Sequence, residues 1–203
     1  MSTLTPQATI AEEERLRADL YDFLGALLAA PPTPETLKTC AALSGDTTDL
    51  GQAIGALAKV AQGFSASRAE REYNALFIGL GRGELLPYAS YYLTGFLNEK
   101  PLAGLRRDMA RLGITRSENV FEPEDNIASL CEMMAGLING RFGAPSGLPA
   151  QRDFFNTHIG PWARHFFSDL EGAKGSVLYA PVGAVGRAFM EIEREAFRMT
   201  GAA

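Results

Sequence analysis

Apolar side chains recur every three or four positions along nearly the whole of this 203-residue chain. That spacing places them on one face of an α-helix. No segment shows the sustained alternation of apolar and polar residues that marks a half-buried strand. The pattern therefore predicts an all-α fold of about eight to ten helices, and the chain is long enough to bury a sizeable core.

The first half of the chain predicts four helices. The first carries its apolar stripe up to Pro31–Pro32, where proline cannot continue it. A short helix follows from about Glu35, and an alanine-rich helix runs from about Asp46, its expected N-cap, to Gly63. The fourth ends in the glycine-rich turn 79–83. The apolar stripes of the first and fourth helices comprise Leu16, Leu20, Phe23, Leu24, Leu27 and Leu28, and Tyr73, Leu76, Phe77 and Leu80.

The second half predicts helices on both sides of a connector. An aromatic run after residue 87 begins one helical segment, which ends at Gly113. The stretch 114–122 has little periodicity, so we expect it to join an N-terminal lobe at about 8–113 to a C-terminal lobe at about 123–200. Pro123 is expected in the first turn of a helix running to about residue 142. Two last helices are expected over about 151–170 and 174–199. The apolar faces comprise Leu102, Leu105, Met109 and Leu112, then Ile127, Leu130, Met134, Leu137 and Ile138, then Phe154, Phe155, Trp162, Phe166, Leu178, Val182, Val185, Phe189 and Ile192.

Charge, cysteine content and the first residues of the chain indicate which partners and which compartment to expect. The formal net charge is −5 and no concentrated basic face is present, which argues against nucleic acid. Cys40 and Cys131 lack metal-type spacing and are predicted to be reduced structural thiols. The first residues are polar and then acidic, unlike an export signal, and the apolar run 23–30 is too short to span a bilayer. We therefore expect a cytoplasmic protein without stable membrane insertion.

Few residues carry the spacing that catalysis or cofactor binding requires. His158 and His165 are two helical turns apart, too far for one zinc ion. The glycine turn 79–83 follows a helix and lacks the Lys-Ser/Thr of a phosphate-binding loop. Acidic residues around a helix start suit a hard cation or acid–base chemistry, but the helix dipole also favours them there. These carboxylates belong to Glu122, Glu124, Asp125 and Glu132. No catalytic residue, metal or cofactor is predicted.

The run Pro87-Tyr88-Ala89-Ser90-Tyr91-Tyr92 is unusually aromatic. Three tyrosines within five residues cannot all face one core from a helix, so at least one should be partly exposed. If these rings and the acidic segment 122–125 border a common cleft, its walls are apolar and its ends negative. Such a cleft suits a peptide in which arginines precede an apolar stretch.

Two motifs together resemble the TorD/DmsD/NarJ family of redox-enzyme maturation chaperones. The first runs from Glu72-Tyr73 through Leu76-Phe77 and the glycines to Pro87-Tyr88, Ser90 and Tyr92, and resembles a family pattern ending in Pro-Pro-Tyr-Glu-Ser-Val-Tyr. The second, Glu122 to Ala128, is similar to Glu-Pro-x-Asp-His-Ile-Ala. A weaker match covers His158, Pro161-Trp162, Phe166, Leu170, Leu178-Tyr179 and Phe189. The resemblance extends over about residues 70–195.

The resemblance implies an all-helical, non-catalytic, cytoplasmic chaperone without a cofactor. Its partner would be the N-terminal signal or tail of a molybdenum-containing enzyme subunit, which it holds back from export while the cofactor is inserted. A monomer or a dimer that exchanges lobes is implied, with the hinge at 114–122. The implied peptide-binding residues are Tyr88, Ser90, Tyr91, Tyr92, Glu122, Pro123, Glu124, Asp125, Asn126 and Glu132.

Four positions depart from the family pattern. Leu86 replaces its first proline, Ala89 its glutamate, Tyr91 its valine and Asn126 its histidine. The loss of one carboxylate and one titratable group leaves open a cargo tail other than a full twin-arginine signal. Two other classes also stay open. One is a metal-dependent hydrolase that uses the acidic cluster, and the other is a permanent helical subunit of a redox complex.

Overall fold

The helices account for most of the residues that the computed structural model describes, 10–116 and 121–200, and they confirm the all-α class. In this part of the chain the helices are α1 Glu12–Ala29, α2 Pro34–Ala41, α3 Asp49–Ala61, α4 Ala66–Tyr73, α5 Ala89–Thr94, α6 Lys100–Leu112, α7 Ile127–Asn139, α8 Leu148–Phe154, α9 Ala163–Gly172 and α10 Tyr179–Thr200. A π-helical turn extends α4 over Asn74–Ile78 and α8 over Phe155–Ile159. None of the described helices combines the length and apolar character that crossing a membrane requires.

Two predicted helix starts were wrong. Thr48, and not Asp46, is the N-cap of α3, and its side chain accepts a hydrogen bond from the Gly51 N–H at 3.1 Å. Asp46 lies two residues earlier and accepts from the Thr48 N–H at 2.9 Å. The prediction for Pro123 also failed, because α7 begins only after Asn126. Glu122, Glu124 and Asp125 therefore precede that helix and do not lie in its first turn.

The single helix predicted over 151–170 was wrong as well. The chain leaves α8 through a π-helical turn, bends at 160–162 and resumes as α9. Gly113 does end α6, in the left-handed conformation, as predicted. Three residues assigned to apolar faces are exposed, namely Leu16, Leu80 and Ile192. Leu80 is exposed because it stands at the tip of the turn between Gly79 and Gly81, both of positive φ.

Helix packing forms one core that both predicted lobes share. α1 packs along α7, while α10 packs against α9 and α3. The largest fully buried side chains are Trp162, Tyr21, Tyr179, Phe155, Phe166 and Phe167. Ile114, the first residue of the predicted connector, is buried in the same core, and residues 117–120 lie outside the described part. The division into lobes at 114–122 stays a prediction.

Candidate peptide-binding cleft

The two sequence motifs lie side by side and are joined through their backbones. The Ala89 N–H donates to the Asp125 carbonyl at 2.9 Å, and the Ile127 N–H donates to the Pro87 carbonyl at 2.9 Å. These bonds form an isolated antiparallel bridge between Tyr88 and Asn126. The segment that enters α5 is thereby fixed against the segment that enters α7. The aromatic and acidic segments of the sequence thus border common cavities.

The larger of these cavities is a cleft of about 500 Å³. One wall is the end of α1, a second is the π-helical turn after α4, and the third is the bridge with the start of α7. Tyr73 connects the first two walls, because its hydroxyl donates to the carbonyls of Leu28 at 3.3 Å and Ala29 at 3.1 Å. Phe77 and Ile78 add apolar surface beside it. The cleft therefore has mainly apolar walls.

Its polar groups come from the two motifs and from α7. The Tyr88 hydroxyl donates to the Glu122 carboxylate, and partial burial together with this carboxylate raises the pKa of Tyr88 well above its usual range. Glu132 lies one helical turn into α7, where partial burial and the nearby Asp22 raise the pKa of its carboxyl. Asn126 lines the same space and caps α7, because its side-chain oxygen accepts from the Ala128 N–H at 2.9 Å. The cleft thus carries two carboxylates among apolar walls.

A second hollow of about 240 Å³ extends the cleft along α7. The two cavities share Glu122, Ser129 and Glu132. Met109, Ile114, Met133 and Phe142 give the second hollow apolar walls, and Arg116 and Arg141 stand at its edge. Together the two cavities provide space for an extended segment whose middle passes the two carboxylates.

Tyr91 and Tyr92 lie away from the cleft. The Tyr92 ring packs against Trp162, with centroids 5.3 Å apart, and its hydroxyl donates to Asp169 at 2.8 Å. The Tyr91 hydroxyl accepts from Arg82 at 2.6 Å, and that guanidinium also lies over the Tyr91 ring. Helix α5 therefore directs these two tyrosines toward α9 and the glycine turn, whereas Tyr88 alone of the three lines the cleft.

Three predicted contact residues are buried and bonded within the protein, although Ser90 Oγ and Asp125 Oδ1 have no hydrogen-bond partner among the described residues. Asp125 accepts a hydrogen bond from the Ser90 N–H at 2.7 Å, and both residues are almost fully buried. Glu124 accepts from Arg106 at 2.8 and 3.0 Å. Burial alone would raise the pKa of Glu124, but the bonds from Arg106 outweigh it and hold the pKa below its usual range. These residues position the bridge, and Pro123 precedes them in the same loop.

A buried histidine contact that no sequence pattern indicates lies beside the bridge. His158 is buried, and its Nε2 lies 2.8 Å from an oxygen of Asp108 on α6. Burial lowers the pKa of His158, although the carboxylate acts in the opposite direction. Residues fifty positions apart on two helices form this contact, so no local pattern reveals it. No group of three or more His, Cys, Asp or Glu residues in 10–116 and 121–200 is arranged to hold a metal ion.

The helices and the cleft define an all-α protein with a candidate binding site. Comparisons with known proteins specify the class further. Residues 44–168 match the family described as nitrate reductase delta subunit. The chain therefore belongs to this family, that of the TorD/NarJ redox-enzyme maturation chaperones, which are chaperones and not enzymes.

Individual relatives agree with this assignment. The chain is 28% identical over 173 residues to the chaperone protein TorD of Aliivibrio fischeri, covering 74% of this chain and 80% of the relative. It is 30% identical over 126 residues to TorD of Vibrio cholerae, covering 59% and 57% of the two chains. A solved structure assigned to redox-enzyme maturation in Archaeoglobus fulgidus shares the fold, with a TM-score of 0.54 at 21% identity, covering 92% and 98% of the two chains.

Proposed function

We propose that this protein is a cytoplasmic chaperone that binds the N-terminal signal or tail of a molybdoenzyme subunit in the cleft. Binding would assist maturation and cofactor insertion and would delay export until both are complete. The proposal rests mainly on one observation. Tyr88 and Glu122 lie beside the backbone bridge and line a mainly apolar cleft that Glu132 also lines. A segment with arginines beside apolar residues matches that combination of surfaces.

The geometry divides the predicted site residues into two roles. Tyr88, Glu122, Asn126 and Glu132 line the cleft and are proposed to contact the peptide. The buried residues Ser90, Glu124 and Asp125 are proposed to position them, together with the half-buried Pro123. Tyr91 and Tyr92 leave the proposed contact set because they pack elsewhere. Arginine suits the two cleft carboxylates because a charge-assisted pair contributes more than a neutral hydrogen bond.

No bond needs to be made or broken for this activity. A ligand that binds one state of a protein shifts the equilibrium by RT ln(1 + [L]/Kd), about 2.7 kcal/mol when the free chaperone is at a hundred times its Kd. A bound cargo tail would thus be withheld from export or aggregation by mass action. Release would follow when the folded cargo buries or repositions its tail.

The test is calorimetric titration with peptides from the N-termini of redox subunits encoded beside this gene. Glu132→Gln removes one charge from the cleft and should weaken binding about tenfold or more, because hydrogen bonds to charged groups contribute about 1.5–3 kcal/mol. Glu171→Gln is the matched control, since Glu171 pairs with Arg187 on another face. Tyr88→Phe, which removes only the hydroxyl, should also weaken binding. Equal affinity for the native protein and all three variants would contradict the proposed cleft.

The two remaining classes of function predict other outcomes. A hydrolase built on the acidic cluster would need Glu124 and Asp125 as ligands or bases, but Arg106 and the Ser90 N–H already bind these carboxylates. A permanent subunit would remain with its redox enzyme after maturation. Purifying the mature enzyme tests this directly, because a transient chaperone should be absent from it. Light scattering of the purified chaperone distinguishes the two proposed states, a monomer and a lobe-exchanged dimer.

A further inference from the structure

The end of α5 and the loop that follows it present apolar side chains to solvent. All eight residues from 93 to 100 are exposed. Three of them are large and apolar: Phe96 is 69% exposed, Leu93 43% and Leu97 42%. We call residues 93–97 the apolar loop. Exposed apolar side chains that adjoin one another often mark a surface that contacts another protein or a membrane.

Local backbone structure holds the apolar loop in this exposed conformation. The Thr94 hydroxyl donates to the Ser90 carbonyl at 2.8 Å and accepts from the Phe96 N–H at 3.2 Å. Gly95 and Asn98, on either side of Phe96, both have positive φ and turn the chain back toward α6. The phenylalanine ring is therefore exposed from an ordered turn. An ordered segment loses little conformational entropy when a partner covers it.

Basic side chains line one face of α6, the helix that follows the apolar loop. Lys100, Arg107 and Arg111 are exposed, and their separations of seven and four positions place them on one helix face. Arg111 pairs with Asp108 at 3.0 Å. Within 10–116 and 121–200, neither Lys100 nor Arg107 forms an ion pair. We call Lys100, Arg107 and Arg111 the basic face of α6.

The apolar loop and the basic face adjoin each other. Leu93 and Gly104 line the same small hollow, and a Cβ added to Gly104 would lie 3.8 Å from the Arg107 guanidinium. Lys100 follows the loop directly in the chain. Between residues 93 and 107 there is one carboxylate, that of Glu99, and there are three basic side chains. This surface is therefore locally positive, although the net charge of the whole chain is −5.

We propose that the apolar loop and the basic face of α6 bind the surface of a bilayer that contains anionic lipids. Phe96 and Leu97 would enter the headgroup region, and Lys100 and Arg107 would lie against lipid phosphates. The shape of the surface favours a bilayer, because its apolar side chains project from an exposed loop. A partner helix or extended peptide would instead need a groove.

The attachment is peripheral and reversible, because a single short apolar element with a few basic residues binds a bilayer weakly. This inference goes beyond the proposed function and does not depend on it. It involves neither the cleft nor a cargo peptide, and it is tested with lipid alone.

The test is co-sedimentation of the full-length protein with large unilamellar vesicles. One set contains equal parts of phosphatidylglycerol and phosphatidylcholine, and the other contains phosphatidylcholine alone. We expect the protein to sediment with the anionic vesicles, and to do so less as salt is added, because salt screens exposed charges. Absence of binding to the anionic vesicles, or equal binding to both sets, would overturn the proposal.

The contribution of the loop is tested with Phe96→Ser, which removes the exposed ring. Binding to the anionic vesicles should weaken roughly tenfold or more, because the ring no longer leaves water. Ile192→Ser on α10 is the matched control, since Ile192 is also a large apolar residue that is exposed, at 49%. Unchanged helical circular dichroism would verify that both variants fold. Equal vesicle binding by the two variants would contradict the role of the loop.

The contribution of the basic face is tested with the double variant Lys100→Gln/Arg107→Gln. Each basic residue near an anionic surface contributes about 1 kcal/mol, so binding should weaken roughly fivefold for each charge removed. The matched control is Lys59→Gln/Arg71→Gln, which changes the net charge equally at exposed positions on α3 and α4. If both double variants lose the same affinity, net charge alone governs binding and the proposed surface is wrong.

A second copy of this chain is the alternative occupant of the apolar loop. Light scattering over a range of protein concentrations, without vesicles, tests this occupant. We expect no self-association that depends on Phe96. A dimer that Phe96→Ser dissociates, in a protein that does not bind anionic vesicles, would assign the loop to a protein interface and would overturn the proposal.

Discussion

A buried ion pair between α1 and α10 is predicted to contribute strongly to stability. Glu193 is fully buried, and its carboxylate accepts hydrogen bonds from Nε and Nη2 of Arg17, each at 2.7 Å. The Tyr21 hydroxyl donates to the same carboxylate at 3.0 Å. Arg17→Met retains much of the apolar volume but removes the cation. The charge of Glu193 then stays in the core. Of the three hydrogen bonds named above, only the one from the Tyr21 hydroxyl remains.

The expected loss is about 3–5 kcal/mol in the free energy of unfolding, the range found when one partner of a buried pair is removed. Single domains unfold at about 5–15 kcal/mol, so the loss is a large share of the total. Replacing both members of a buried pair with apolar residues is often neutral or stabilising. The double variant Arg17→Met/Glu193→Leu should therefore recover most of the stability that the single variant loses.

Urea unfolding followed by circular dichroism measures these differences. Arg187→Met on α10 is the matched control, because it also removes one arginine from an ion pair, 2.8 Å from Glu171, but from an exposed pair. Exposed pairs contribute roughly 0–1 kcal/mol, so this variant should remain close to the native protein. The reasoning fails if Arg17→Met costs no more than Arg187→Met, or if the double variant is less stable than Arg17→Met.

Three further predictions concern packing and pH. Gly183→Ala should destabilise the protein by about 1–3 kcal/mol in urea unfolding, because its Cβ would stand 2.5 Å from the Glu171 nitrogen; an unchanged midpoint would contradict the close α9–α10 contact. Peptide affinity should rise with pH through the raised pKa of Glu132, since only the ionised carboxylate pairs with arginine, and Glu132→Gln should flatten this dependence in calorimetry. Burial lowers the pKa of folded His158, so the stability it contributes is complete above the unfolded pKa of about 6.5 and decreases as pH falls below it. The slope is at most about 1.4 kcal/mol per pH unit, and His158→Gln should reduce it in urea unfolding at pH 7.5 and 5.5; an equal slope in both proteins would contradict this assignment.

Periodicity predicted most of the fold because it reports which residues share one face of one helix. The apolar face of α7 is buried from Ile127 to Ile138, as its spacing indicates. The same rule failed for Leu80, because the glycine turn had already ended the helical path. Periodicity also predicted one helix where the structure has α8 and α9. A π-helical turn and a short bend hardly disturb the recurrence of apolar residues near Phe155 and Trp162.

The site was harder to predict, because its geometry depends on contacts distant in sequence. The aromatic and acidic segments are joined by the bridge at Tyr88 and Asn126, and neither segment alone specifies this pairing. The directions of Tyr91 and Tyr92 depend on Arg82 and on α9, which lie outside the aromatic run 87–92. The burial of a charged residue also depends on the tertiary fold. The sequence therefore placed Asp125 in a motif but could not predict that it is buried.

The position of Ala89 in the fold shows what its departure from the family pattern changes physically. The family pattern has glutamate there, and in this chain Ala89 and Asp125 line one pocket on the side of the bridge opposite the cleft. A glutamate side chain would occupy part of that volume of about 210 Å³ and would bring a second carboxylate near Asp125. Like charges held close together disfavour ionisation of both. Alanine instead leaves that space open, with Asp125 as the single carboxylate among the residues that line it.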